Sequence, residues 1–522
     1  MGVPQQKTDD NQFQTGKRRG MFNKFLDWIE RNGNKLPDVL TLFAIFTAII
    51  LLASFVAGRL NWSAVNPATK ETVNAVNLLD DKGIVKILTE MVNNFMAFPP
   101  LGLVLVVMLG VGLAESTGLV SAFMRKVVLA SPKALILPII VIIGMFGNAA
   151  ADAALIVLPP IAAFVFVTMG RHPIAGLALG YASVAGGFSA NLILSMLDVL
   201  LAGFTESSAQ IVDKGYKANP AMNYYFLVAS TFVLVPVAVF VCSKIVEPRL
   251  GAYTLNAKVE TDSKLSQSER RGLVWAGVGV FFYLLLLCFL TIPEGALLRN
   301  AESNSLIEDS PFMNGIVPIM LFFFFIPALL YGIGAKVIKS DKDVADHLSK
   351  AMSGMGYYIV LAFIAAQMIT YFNWSNLGTI IAIKGAGFLK ESGMTGLPLL
   401  LAFILFCALV NLLIASSSAK WALLGPVFVP MFMFMDYSPA FTQMAYRIGD
   451  SITNAVTPML AYFAILLTFA KKYDPKMGVG TLISVLLPYS IGFAIFWTIL
   501  FAVWYWLGLP LGPGEYIHLK SS

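Results

Sequence analysis

Apolar runs long enough to cross a lipid bilayer recur from one end of this 522-residue chain to the other. A hydrocarbon core of about 30 Å requires about 20 apolar residues in a helix. In that medium only helices and closed barrels pair all their backbone amides. Nine segments meet the length: Val39–Gly58, Phe98–Met124, Ile174–Leu194, Tyr224–Cys242, Leu273–Ile292, Ile316–Ala335, Met355–Phe372, Arg447–Ala470 and Thr481–Gly508. With 57% hydrophobic and 13% charged residues, the chain lacks the polar surface a soluble protein of this size needs. The expected fold is an all-α polytopic membrane protein.

The first 35 residues are polar and basic, with no apolar core followed by a small-residue cleavage site. Val39–Gly58 is therefore expected to span the membrane, not to be removed as a signal. Cys242, Cys288 and Cys407 lie inside apolar runs without metal spacing, and His172, His347 and His518 lie in or beside polar connections. No cofactor is expected.

Two further apolar stretches, 134–170 and 399–435, are interrupted near their middles. Each is too long for one span and too broken for two, so both are expected to be re-entrant hairpins. With both hairpins entering and leaving on one side and the N-terminus in the cytoplasm, 24 of the 36 Lys and Arg fall on the cytoplasmic side. Ten fall opposite, the asymmetry that the positive-inside rule describes. The C-terminus is then periplasmic in a bacterial inner membrane.

The two halves resemble each other. Asn148–Asp152 leads into Leu155–Pro160 as Ser416–Trp421 leads into Leu423–Pro426, and Gly180–Asn191 aligns with Ala445–Asn454. The charge-derived topology enters the first hairpin from the cytoplasm and the second from outside, which makes an inverted repeat. Its expected divisions are a cytoplasmic segment 1–35, a first repeat 36–250, a linker 251–272, a second repeat 273–514 and a tail 515–522. Gly186-Gly187, Ser416–Ser418 and Thr457-Pro458 are poor lipid-facing helix. Unwound backbone at membrane depth survives only where protein or water covers it, and half-helix ends there bring partial charge to a binding cavity.

Asp152, Asp198, Lys420, Arg447 and Asp450 lie at or beside these breaks. An ionisable group inside a membrane is expensive, so each is a candidate functional residue. Arg447 and Asp450, three apart on a helix, are expected to share a face and to pair. Asp198 has no basic partner near in sequence and is a candidate proton carrier or support for a cation site. Trp421, four residues beyond Ser417, offers a flat face to an aromatic ring.

Gly186–Asn191, Asn373-Trp374, Ser416–Trp421, Ala445–Ser451 with Thr453-Asn454 and Thr457-Pro458, and Gly478–Ser484 together resemble the p-aminobenzoyl-glutamate transporter family, over about 36–514. The resemblance implies a homodimer of subunits with nine spanning helices and two hairpins. It implies cation-coupled transport of p-aminobenzoyl-glutamate-like aromatic carboxylates, as an exporter of sulfonamide antimetabolites or an importer for folate salvage, driven by proton or sodium. Transport residues carried over by motif are Asp198, Ser417, Ser418, Trp421, Arg447, Asp450 and Pro458. Asn148, Asp152, Asn191, Ser416, Lys420 and Asn454 are the candidate hairpin-tip and cation residues, with sodium expected near Asn191 and Asn454.

Other classes fit poorly. A membrane-embedded enzyme would need a paired-His motif, metal spacing or a Ser nucleophile with a base, and no such pattern is present. An ion channel would show rings of like charge and no paired breaks.

Overall fold

The computed structural model describes residues 37–67, 69–148, 153–251, 253, 265–307 and 310–519. α1 (Val39–Arg59) leads into a short antiparallel hairpin, β1 (Ser63–Val65) and β2 (Thr72–Asn74), with Ala64 opposite Val73. The first half continues through α2 (Asp81–Met96), α3 (Pro99–Ser116), α4 (Leu119–Leu129), α5 (Ile136–Gly147), α6 (Ala153–Thr168), α7 (Pro173–Ala185), α8 (Met196–Ala209) and α9 (Tyr224–Phe240). The second half comprises α10 (Gln267–Thr291), α11 (Ile316–Gly334), α12 (Asp341–Ser353), α13 (Gly356–Trp374), α14 (Leu377–Glu391), α15 (Gly396–Asn411), α16 (Ser417–Met433), α17 (Pro439–Ile452), α18 (Ala461–Tyr473) and α19 (Val479–Leu507).

Among the described residues, seven helices are long and apolar enough to cross a membrane, or eight if the bent pair at 119–147 counts as one. The chain is an all-α polytopic membrane protein. Two of the nine expected spans account for the difference. Ile174–Leu194 is helical only to Ala185, and Arg447–Ala470 is interrupted between Ile452 and Ala461. At the first break Gly186-Gly187 offers no side chains to hold a helix. At the second, Pro458 lacks an N–H and disfavours helical backbone at Thr457. Arg447 therefore lies well inside α17 and does not begin a span. Phe98–Met124 also divides, at Gly118, whose φ of +85° turns the chain between α3 and α4. The polar connections hide helices too: α2 and α12 alternate charged and apolar faces, and so carry no long apolar run.

The second interrupted stretch folds as helix–break–helix, and the described residues of the first form the helices α5 and α6. At 1.5 Å per residue, α5, α6, α15 and α16 are roughly 18, 24, 24 and 26 Å long, all short of a bilayer core of about 30 Å. The tip of the first hairpin at 149–152, with Asp152, lies outside the described residues.

Each hairpin is followed by a helix with no surface of its own. Every residue of α7 and every residue of α17 is buried. α7 packs on α5 and α6, α17 packs on α15 and α16, and α8 joins the halves by packing on α16. Gly449 permits the approach of α17 to α15, because a Cβ there would stand 2.4 Å from the Ile404 carbonyl oxygen. The longer helices flank this centre, α3 against α10's partner α11 and α13 against α1.

Candidate functional site

The second unwound segment is wired to the hairpin beside it. Asn411, the last residue of α15, donates from Nδ2 to the Asp450 carbonyl (2.6 Å), Thr453 Oγ1 (2.8 Å) and Asn454 Oδ1 (2.8 Å). Thr453 Oγ1 donates to the Ala408 carbonyl at 3.2 Å. In the first half Asn148 Nδ2 donates to the Val184 carbonyl at 3.1 Å, and Asn191 Nδ2 donates to the Met145 carbonyl at 2.6 Å. Both unwound segments, or the helix leading into them, are therefore tied to the C-terminal end of the first hairpin helix by asparagine amides, and Asn148, Asn191 and Asn454 all take part.

The charges pair across elements and not along them. Arg447 Nη1 lies 2.6 Å from Asp198 Oδ1, with both side chains buried. Lys420 Nζ contacts Asp450 Oδ1 and Asn411 Oδ1. The expected Arg447–Asp450 pair does not form. Helical spacing puts the two side chains on neighbouring positions, but each finds an opposite charge from another helix at closer range. Asp198 is held by its own helix end: Ser195 N and Oγ donate to its Oδ2 at 2.6 and 2.7 Å, a capping box at the start of α8. Arg447 is less complete. Its Nε and Nη2 are buried without a hydrogen-bond partner among the described residues, and so is Asp450 Oδ2.

Trp421 is fully buried and its face is covered by Tyr446, with centroids 4.5 Å apart at 26°. In this conformation that face holds a protein ring. The Trp421 indole N–H donates to Thr205 Oγ1 (2.8 Å), which also accepts from Gln443 Nε2 (2.7 Å) and donates to the Leu201 carbonyl (2.8 Å). Asn223 Nδ2 donates to Gln443 Oε1 at 2.7 Å, which extends the chain to the start of α9. Tyr446 OH donates to the Ser417 carbonyl at 2.5 Å. Ser417 is buried, Ser418 and Pro458 are half-buried, and Ser416 is exposed as the N-cap of α16. The structure thus brings Asp198, Lys420, Trp421, Arg447 and Asp450 into one buried zone between α8, α16 and α17.

Thr205, Gln443, Asn411, Tyr446 and Ser195 were not singled out from the sequence. Ser195 could have been found from its Ser-x-x-Asp spacing, and Asn411 as a polar residue inside an apolar run. Thr205 carries no such signal.

Two clefts flank the far end of α8. One, of about 1010 Å³, is lined by Phe98, Pro99, Glu206, Lys217 and Glu515. The other, of about 520 Å³, is lined by Lys86, Asn94, Ser207, Gln210 and Trp374. Glu206 is eight residues along α8 from Asp198, or about 12 Å.

The profile of the AbgT transporter family matches residues 24–519. The p-aminobenzoyl-glutamate transport protein of Escherichia coli K12 is 36% identical over 497 residues, covering 95% of this chain and 97% of that protein. The YdaH transporter of Alcanivorax borkumensis, whose crystal structure shows an unusual topology, superposes with a TM-score of 0.88 at 39% identity. That match covers 91% of this chain and all of the other. MtrF of Neisseria gonorrhoeae, described as illuminating a class of antimetabolite efflux pumps, superposes with a TM-score of 0.88 at 43% identity, covering 94% of this chain and all of that one. With its buried charges at paired helix breaks and these matches over nearly its whole length, the chain is a member of the AbgT family of membrane transporters.

Proposed function

We propose that the protein is a cation-coupled carrier of p-aminobenzoyl-glutamate-like aromatic carboxylates that works as an exporter of sulfonamide antimetabolites. One observation carries the reading: Arg447, buried at the junction of the halves, is neutralised on one side by Asp198 and has two guanidinium nitrogens without partners among the described residues. A guanidinium offers paired donors that suit a carboxylate. A substrate carboxylate arriving there competes with Asp198, so substrate binding and the charge state of Asp198 are linked. The similarity to MtrF supports export, and the similarity to the Escherichia coli relative supports import for folate salvage as the second reading.

The driving ion is a proton or sodium. At the first break the Ser189 hydroxyl is buried without a partner among the described residues, and the C-terminal ends of α5 and α7 are joined there through Asn148 and Asn191. Neutral oxygens and helix C-termini of this kind fit a monovalent cation. The carrier would act as a homodimer in a bacterial inner membrane, with its N-terminus cytoplasmic, the α8 clefts facing the periplasm, and the two repeats moving in opposite senses.

Counterflow in liposomes tests the reading. Vesicles loaded with unlabelled p-aminobenzoyl-glutamate should transiently accumulate the labelled compound, because only a carrier exchanges one molecule for another without a net gradient. An Arg447→Ala protein should not. Flux through the native protein that ignores internal unlabelled substrate would contradict a carrier.

A further inference from the structure

We infer that Lys420 is a built-in cation: its ammonium fills the place where a free monovalent ion would otherwise bind in the second half, and so determines which ions the carrier can use. Three observations point there. First, α15 ends at Asn411 and α17 ends at Ile452, so two helix C-termini, each with partial negative charge, converge beside the second break. Second, the oxygens at this place are Asp450 Oδ1 and Asn411 Oδ1, and the Lys420 ammonium contacts both. Third, Asn411 Nδ2 is already committed to the Asp450 carbonyl, Thr453 and Asn454, which leaves its Oδ1 turned toward the ammonium. In inverted-repeat carriers half-helix C-terminal ends and unwound backbone carbonyls hold the driving ion, and here a carboxylate and an amide oxygen stand beside two such ends.

The first half supplies the contrast. Under the alignment of the halves, Lys420 corresponds to Ala154 and Asp450 to Ala185, both buried. The α5 and α7 ends converge there in the same way, with neither an ammonium nor a carboxylate at Ala154 or Ala185 among the described residues. At these two positions the halves therefore differ in charge: the second carries a carboxylate together with a cation that is covalently attached. Among the described residues, the other titratable groups facing the pair are Tyr446, whose hydroxyl is 3.5 Å from Asp450 Oδ1, and Cys407 of α15. Both are neutral as ordinarily protonated, so the lysine is the counter-charge of Asp450.

This inference rests on the hairpins and breaks being the transport core. Its test reads ion binding and not substrate flux, so it can fail or stand independently of the proposed cargo. Purified protein in detergent is equilibrated with radioactive sodium ions, with choline as the replacement cation, and bound sodium per chain is counted. The Lys420→Ala variant, which copies Ala154, should bind about one more sodium ion per chain than the native protein, and its melting temperature should rise with sodium. The Lys420→Ala/Asp450→Ala double variant, which removes both charges together and so leaves neither of the two unpaired, should fold and gain less sodium than Lys420→Ala, because the carboxylate that balances the ion is gone. Sodium binding unchanged by Lys420→Ala would overturn the inference. So would a Lys420→Ala protein that sodium cannot rescue from unfolding while the double variant folds.

Discussion

Asp198 of the first half and Arg447 of the second meet at 2.6 Å, with 1% or less of either side chain exposed. The pair ties the N-terminal end of α8 to the middle of α17. It adds a buried charge contact to the hydrogen bonds that Thr205 and Asn223 make between the halves. Breaking such a pair by removing one partner costs about 3–5 kcal/mol, because the other charge is left uncompensated. Asp198→Leu and Arg447→Met should each lower the melting temperature, and the double variant should recover most of the loss. All three should lack transport. A double variant no more stable than the singles would show that the two residues do not compensate each other.

Thr205 is the joint between α8, α16 and α17, since one hydroxyl donates to Leu201 and accepts from both Trp421 and Gln443. Thr205→Val keeps the shape and removes both acceptor contacts. Leaving buried donors unpaired costs about 1–3 kcal/mol each, so thermal unfolding should occur measurably earlier. Trp421→Phe keeps a ring on Tyr446 and loses only the N–H bond, so it should cost less than Trp421→Ala, which opens a cavity worth about 3–5 kcal/mol. Equal losses for the two Trp421 variants would contradict the packing role of the ring.

Reading the sequence reached the long spans and both hairpins, because bilayer thickness sets a length that apolar runs either meet or miss. It also reached the members of the buried cluster, since a charge inside a membrane is costly enough to stand out. It missed their pairing. The i,i+3 spacing of Arg447 and Asp450 is local, while their partners come from α8 and α16, whose approach is set by packing. It also missed α2, α12 and α14, where charged residues interrupt the apolar pattern within a regular helix. The Gly-Gly and Thr-Pro pairs marked where the helices break. How far the unwinding runs, from Gly186 to Ser195, depends on where the Ser195–Asp198 cap restarts the helix.

His172 caps α7 by accepting the Ile174 N–H at Nδ1, 3.2 Å away, which requires an unprotonated nitrogen. Burial lowers its pKa below the ordinary histidine value, against the pull of Glu247 and Asp474. The cap's stabilisation is therefore complete above about pH 6.5 and lost as pH falls through the lowered value. It should be about 1 kcal/mol. His172→Asn, which caps at any pH, should show a smaller fall in melting temperature between pH 7.5 and 5. An unchanged pH profile would remove His172 as the cause.

Orientation is testable with single cysteines. Cys242 and Cys407 are buried and Cys288 is exposed, so a Cys288→Ser background leaves no accessible thiol among the described residues. In that background Ser303→Cys should react with an impermeant thiol reagent added to intact cells, and Ser266→Cys should react only after permeabilisation. The reverse pattern would invert the topology.

The central claim is that Arg447 receives the carboxylate of the substrate, and equilibrium binding of labelled p-aminobenzoyl-glutamate to purified native and Arg447→Gln protein tests it most directly. A hydrogen bond to a charged group contributes about 1.5–3 kcal/mol, so the variant should bind roughly ten- to a hundredfold more weakly. A folded Arg447→Gln protein that binds p-aminobenzoyl-glutamate as tightly as the native chain would contradict the account.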